Sequence, residues 1–298
     1  MTLKSLNMKS ASALLPSRAA DGNKGTFGKV LLICGSRNMV GCAVLAAKGA
    51  LRSGAGLVSI AFPDVLYNAL TSQLSETLFL PLKTNDLGFI SHEALPDILS
   101  AAENADAIMI GCGIGKGFSQ SLIVTTLLKL EGKSLILDAD ALNELSGCMS
   151  ILKDTKANVL ITPHPGEMAR LMGCTISEIE SDREGAVKRF VEEYRVNVLL
   201  KGHETLVSNK DFTEVYVNKT GNSGLSKGGS GDLLSGIIAG LSPSMGGDVF
   251  KAGVLGAFVH GLSADVLKNE ISEYSILPTD CAAVLGRAFR LIEASDID

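Results

Sequence analysis

Tryptophan is absent from the 298 residues, and aromatics make up 5% of them against 46% hydrophobic residues and 32 glycines. A core of that kind is packed with Ala, Val, Leu and Ile, which suits an α/β sandwich better than a β-barrel. Paired cysteines are also missing. The six cysteines at 34, 42, 112, 148, 174 and 281 show no CxxC spacing, which excludes a zinc ribbon or a disulfide framework and predicts reduced thiols in a cytoplasmic protein. Net charge is −5 with no basic run, so nucleic acid is excluded as a partner. No continuous apolar stretch follows the lysines of residues 1–20, so no signal peptide is predicted. The most apolar segment, 252–266, is broken by glycines, His260 and Asp265 and reads as too short and polar for a membrane span, so a soluble chain with no membrane partner is expected. A Gly-x-Ser-x-Gly elbow after a strand and an HExxH pair among the four histidines are both lacking, which argues against serine and zinc hydrolases.

What is present is a regular alternation. Residues 29–34 (KVLLIC), 56–62 (GLVSIAF), 106–110 (DAIMI), 134–137 (SLIL), 158–161 (NVLI) and 197–200 (NVLL) are short apolar runs without period-2 alternation, as buried strands are. Helical patterns lie between them at 41–52, 92–102, 119–130, 165–172 and 176–194, and 232–294 is nearly all helical. Strand–helix alternation implies right-handed crossovers and a mostly parallel sheet covered on both faces. Residues 204–208 and 213–218, joined by Asn209-Lys210-Asp211, read as a hairpin. No linker, low-complexity segment or repeat interrupts the chain, so one domain over 1–298 is expected, with 1–23 as an N-terminal extension. In such sheets ligands sit beyond the carboxyl ends of the strands.

The most informative segment is Gly221-Asn222-Ser223-Gly224-Leu225-Ser226-Lys227-Gly228-Gly229-Ser230-Gly231-Asp232, which runs straight into an apolar helical pattern. Bare backbone N–H groups at the positive end of a helix cradle an anion. Asp232 either caps that helix or acts as a base on whatever the cradle holds, and a phosphoryl group in transit suits the arrangement best. Four glycines within residues 224–231 exceed what a cap requires. Two further glycine-rich turns follow strands, at 35–43 and 111–117; neither is a Walker A loop, and the second fails the dinucleotide fingerprint. In Thr162-Pro163-His164-Pro165-Gly166-Glu167, His164 is held stiffly between prolines, as a ligand contact or an exposed turn histidine, and Glu167 complements the helix dipole without a catalytic role. Lys201-Gly202-His203-Glu204-Thr205 at a strand end meets a nucleotide phosphate or ribose, or is a solvated turn. Asp138-Ala139-Asp140 offers carboxylates to Mg2+ through water or caps a helix.

Together, residues 24–30, 35–43, 51–58, 138–142, 162–171 and 221–241 resemble the ADP/ATP-dependent NAD(P)H-hydrate dehydratases of the ribokinase-like superfamily, and the Pro-His-Pro-Gly-Glu run is most like the bacterial ADP-using branch. The resemblance implies a three-layer α/β/α ribokinase-like fold. It also implies an activity: a nucleotide phosphorylates the C6 hydroxyl of the S-form of hydrated NADH or NADPH, and loss of phosphate restores the reduced cofactor. By the same resemblance Asp232 is the base, Gly229, Ser230 and Gly231 form the anion hole, and Mg2+ neutralises charge. Ala43 (with a one-residue shift to Cys42 possible), Gly113, His164 and Asp232 contact the hydrate. Lys201, Gly202, His203, Glu204, Thr205 and Gly231 contact ADP or ATP. A homotetramer is implied, working with an NAD(P)H-hydrate epimerase on a separate chain. Cys42 replaces a common Ala, Ser223 a common Pro, and Ser226-Lys227 the usual Ala-Thr, so Lys227 adds a charge beside the anion loop that bears on nucleotide preference. A kinase of a small alcohol, such as a hydroxymethylpyrimidine or hydroxyethylthiazole, keeps Asp232 and the same loop, and a nucleotide sensor with a dead site is the non-enzymatic alternative.

Overall fold

The computed structural model describes residues 3–295. Its strands are β1 (Lys29–Ile33), β2 (Leu57–Pro63), β3 (Leu78–Leu82), β4 (Ala107–Ile110), β5 (Ser134–Leu137), β6 (Asn158–Ile161), β7 (Asn197–Leu200), β8 (Leu206–Ser208) and β9 (Val215–Val217). The helices are α1 (Met8–Leu14), α2 (Val40–Arg52), α3 (Tyr67–Thr71), α4 (Leu95–Glu103), α5 (Phe118–Leu127), α6 (Asp140–Leu145), α7 (Pro165–Met172), α8 (Ile176–Ser181), α9 (Arg183–Tyr194), α10 (Ser230–Leu241), α11 (Val249–Lys268) and α12 (Pro278–Ala294). All nine strands form one sheet in the order β3-β2-β1-β4-β5-β6-β7-β8-β9. Pairing is parallel from β3 through β7 and antiparallel at β7–β8 and β8–β9. This is the three-layer, mostly parallel α/β/α architecture that the strand–helix alternation predicts.

β1 sends Val30 and Leu32 into one hydrophobic core and Leu31 and Ile33 into the other. With both faces covered a strand has no polar alternation to display, hence the solid apolar runs in the sequence. Helices α1–α3 and α10–α12 cover one face, and α4–α9 cover the other. The chain moves outward from β1 to β3 and then returns to β4 on β1's other side, so strand order reverses between β1 and β4. A crevice opens at the carboxyl ends of strands at such a point.

Contact between α2 and α10 fixes the site. A Cβ on Gly236 would lie 2.1 Å from the Ala46 carbonyl oxygen, and one on Gly49 2.5 Å from that of Leu233. The two backbones therefore touch, and the start of α10 packs against Leu45 and Gly49 of α2.

Some boundaries differ from the sequence expectation. β3 (LFLPL) carries Pro81, and a proline is tolerated there because the strand lies at the sheet's edge. The predicted 176–194 helix breaks at Asp182, which leaves helical geometry and accepts the Gly185 N–H to start α9. α11 is longer than the 252–266 segment and reaches the length and apolarity of a membrane span. However, 78% of its most apolar window is buried inside the fold, which makes it a core helix.

Candidate active site

Gly229 opens α10 with φ +97°, and a Cβ there would lie 2.5 Å from Leu45 Cδ1, so both conformation and space call for glycine. No side chain caps the helix, and the N–H groups of Gly231 and Asp232 have no protein partner among the described residues. The Ser230 hydroxyl beside them is buried and equally unpartnered. Orphan donors at a helix start, with a buried hydroxyl waiting, are what an incoming anion satisfies.

Asp232 lies in the first turn of α10, on the side away from the large cleft described below. Burial raises its carboxyl above the ordinary aspartate value; the Asp138 and Asp140 charges add to this, while the Cys112 thiol and Lys201 oppose it. Burial, with the same carboxylate adding to it, pushes the Cys42 thiol up to about 12. That thiol donates to the carbonyls of Met39 at 3.0 Å and Cys112 at 3.2 Å. Gly113 has φ +66°, and a Cβ on it would sit 2.5 Å from Cys42 Sγ. Gly113 therefore packs against the start of α2. Ala43 is fully buried, main chain included, so neither its methyl group nor its backbone reaches the surface.

On the other side of the loop, Lys201 Nζ donates to Asp138 Oδ1 at 2.7 Å and lies 3.7 Å from Glu167 Oε2. A Cβ on Gly231 would be 3.4 Å from that ammonium, which places it directly beneath the anion loop. Asp138 is 1% exposed, and its Oδ2 accepts from the Ser235 hydroxyl at 2.7 Å. Burial alone would raise Asp138, but the charge and hydrogen bond of Lys201, with the Ser235 and Thr162 hydroxyls, hold it below the usual value. Lys201 is in turn raised, because Asp138 and Glu167 outweigh the opposing effect of burial. Lys201 is therefore no solvated turn lysine. Asp138 is neither a helix cap nor an open metal ligand, and Asp140 bonds the Gly115 N–H at 3.0 Å instead.

Glu167, given no role from sequence, is buried beside this pair. Its Oε2 accepts the His164 N–H at 2.8 Å, and His164 Nδ1 accepts the N–H groups of Gly166 (3.0 Å) and Glu167 (3.3 Å). Two donors on Nδ1 leave the proton of the neutral ring on Nε2, 3.5 Å from Glu167 Oε1.

A cleft of about 830 Å³ opens over the loop. Of the residues singled out from sequence, His164, Lys201, Gly202, His203, Glu204, Thr205, Ser230 and Gly231 line it, while Ala43, Gly113 and Asp232 gather on the far side with Cys42 and Cys112. Arg183 steadies the 201–205 turn by donating to the carbonyls of Leu200 and Lys201 at 3.1 and 3.2 Å. Two contributors from α11 escaped the sequence reading. Asp265 anchors the glycine-rich loop by accepting from Gly221 N–H at 2.8 Å and from the Asn222 amide at 3.0 Å. His260 lines the cleft at 7% exposure with Nε2 unpartnered, and burial lowers it to about 4. Both sit in an apolar helical run whose pattern signals only a core.

A sequence family described as NAD(P)H-hydrate dehydratase matches residues 30–287. An ADP-dependent (S)-NAD(P)H-hydrate dehydratase of Neisseria meningitidis is 39% identical over 258 residues, covering 85% of this chain and 81% of that protein. A bifunctional NAD(P)H-hydrate repair enzyme of Moorella thermoacetica is 36% identical over 282 residues, covering 94% of this chain and 52% of that protein. The chain thus spans about half the length of its bifunctional relatives. Among solved structures, the ADP/ATP-dependent NAD(P)H-hydrate dehydratase of Bacillus subtilis, co-crystallised with ATP and Mg2+, superposes with a TM-score of 0.85 at 29% identity, covering 98% of this chain and 100% of that one.

Proposed function

Because the chain belongs to the NAD(P)H-hydrate dehydratase family, we propose that it restores NADH and NADPH from the S-form of their hydrates at the expense of ADP. The observation that carries this reading is a half-buried aspartate with raised proton affinity in the first turn of an uncapped helix, with a nucleotide-sized cleft on the opposite side of that helix start. Asp232 takes the proton of the C6 hydroxyl as its oxygen attacks the terminal phosphorus, and the bond from that phosphorus to the nucleotide's bridging oxygen breaks. The N–H groups at Gly229, Ser230 and Gly231 hold the migrating phosphoryl group, the Ser230 one by giving up its 3.2 Å bond to the Lys227 carbonyl, and Lys201, already paired with Asp138 and Glu167, lies beneath them. Water is a poor leaving group and phosphate a good one, so elimination then regenerates the nicotinamide ring. By the family resemblance Ala43, Gly113 and His164 hold the hydrate, and Lys201, Gly202, His203, Glu204, Thr205 and Gly231 hold the nucleotide.

Among the described residues no group of three or more His, Cys, Asp or Glu side chains is arranged to hold a metal ion. That donor set fits Mg2+ carried in on the nucleotide, since this ion keeps its waters and needs one or two carboxylates. Asp138 is closed to those waters, because it is 1% exposed with Oδ1 on Lys201 and Oδ2 on Ser235, so the nucleotide's phosphates would be the ion's main ligands. Bound there, the ion would neutralise charge on the phosphate oxygens. The reading extends to a cytoplasmic homotetramer, which light scattering on the purified chain checks. Mass spectrometry of the products of hydrate plus ADP tests the activity: NADH, AMP and phosphate are expected. A stable phosphate ester would instead identify a kinase of a small alcohol.

A further inference from the structure

Three lysines line the cleft, and two have their charge matched. Lys201 is 2.7 Å from Asp138 and 3.7 Å from Glu167, and Lys268 is 2.9 Å from Glu273. Lys227 has no carboxylate within 4.0 Å among the described residues. Its ammonium donates to the Tyr274 carbonyl oxygen at 2.7 Å, which occupies one of its three N–H groups and cancels no charge. Lys227 precedes Gly229, the start of α10, by two residues and lines the cleft that opens over the anion loop.

The charge is also held in place. Ser223, on the same loop, donates to Glu273 Oε2 through its hydroxyl and through its N–H, the latter at 3.2 Å. Loop and rim are therefore joined at two points, one of them through Lys227 itself. Resting on the nucleotide-dependent reading above, we propose that Lys227 is a specificity residue of this chain, one that contacts the nucleotide's polyphosphate and raises affinity for triphosphate relative to diphosphate. An extra phosphoryl group brings more negative charge, and the carboxylate partners of Lys201 and Lys268 leave those two lysines less able to answer it.

The test is calorimetric binding of ADP and of ATP, each with Mg2+, to the wild type, Lys227→Thr and Lys227→Arg at two salt concentrations. The threonine variant should lose about tenfold in ATP affinity, about the strength of one charged hydrogen bond, and less for ADP. Its ATP binding should also respond less to salt, its unliganded melting temperature should match wild type, and arginine should restore most of the ATP affinity. Unchanged affinity for both nucleotides in Lys227→Thr overturns the assignment. So does equal weakening of both with a lowered melting temperature, which would mark Lys227 as a tie to Tyr274 alone. A wild-type chain that binds neither nucleotide overturns the proposed function itself, and this assignment with it.

Discussion

In the proposed reaction Asp232 takes a proton from an alcohol, and its surroundings favour that: burial and two neighbouring carboxylates make it more basic than an exposed aspartate. Asp232→Asn keeps the shape and removes the basicity. Turnover should fall by about 10²–10⁴-fold while nucleotide affinity, measured by calorimetry, stays near wild type; wild-type turnover in this variant would strip Asp232 of its role. His260 supplies a second residue-scale prediction. Its folded value of about 4 lies below the ordinary histidine value of 6.5, so the unfolded chain binds the proton first. The stability it contributes is complete above about pH 6.5 and declines as pH falls toward 4, by up to a few kcal/mol. Urea melts across that window should show a steeper acid loss for wild type than for His260→Leu. Parallel curves would mean that the ring does not titrate in isolation.

At the scale of elements, the loop works because α2 and α10 approach to backbone contact. A methyl group on Gly236 would press into the Ala46 carbonyl, so Gly236→Ala should destabilise by about 1–3 kcal/mol and shift α10's first turn. A melting curve and the nucleotide affinity together check this; an unaltered melting temperature would show that the helices separate without cost. Sequence pattern revealed this element well, because glycines crowding a helix start have few uses. β5, β6 and β7 were equally legible, with boundaries matching the apolar runs. β3 stayed hidden because Pro81 masks an edge strand, and the 182 break because Asp182 reads as one more polar helix residue. The ion pairs of Glu167 and Asp138 were not legible for a different reason: their partner Lys201 lies 34 and 63 residues away in the chain, a distance no local spacing reports. Asp265 and His260 were lost inside a helix whose apolarity announces packing alone.

At the scale of the whole molecule, the Lys201–Asp138 pair joins the ends of β5 and β7, with Ser235 of α10 and Glu167 of α7 attached. Removing one partner leaves a buried charge without its counterpart. Asp138→Asn should therefore cost about 3–5 kcal/mol, and adding Lys201→Met to it should recover part of the loss. Denaturant melts of the two single variants and the double variant measure this coupling, and strictly additive losses would refute it. The network also reaches from the cleft to the Asp232 side of the loop through Asp138 and Cys112, so occupying the cleft should tighten the whole sheet end. ADP should accordingly raise the melting temperature in proportion to the logarithm of its concentration above its Kd.

The most direct test of the central claim is a time course of reduced-nicotinamide absorbance for the purified chain with S-form hydrated NADH, with and without ADP and Mg2+. The account predicts that absorbance returns only when nucleotide is present and in step with phosphate release. Return without nucleotide, or nucleotide consumption with no return of absorbance, would contradict it.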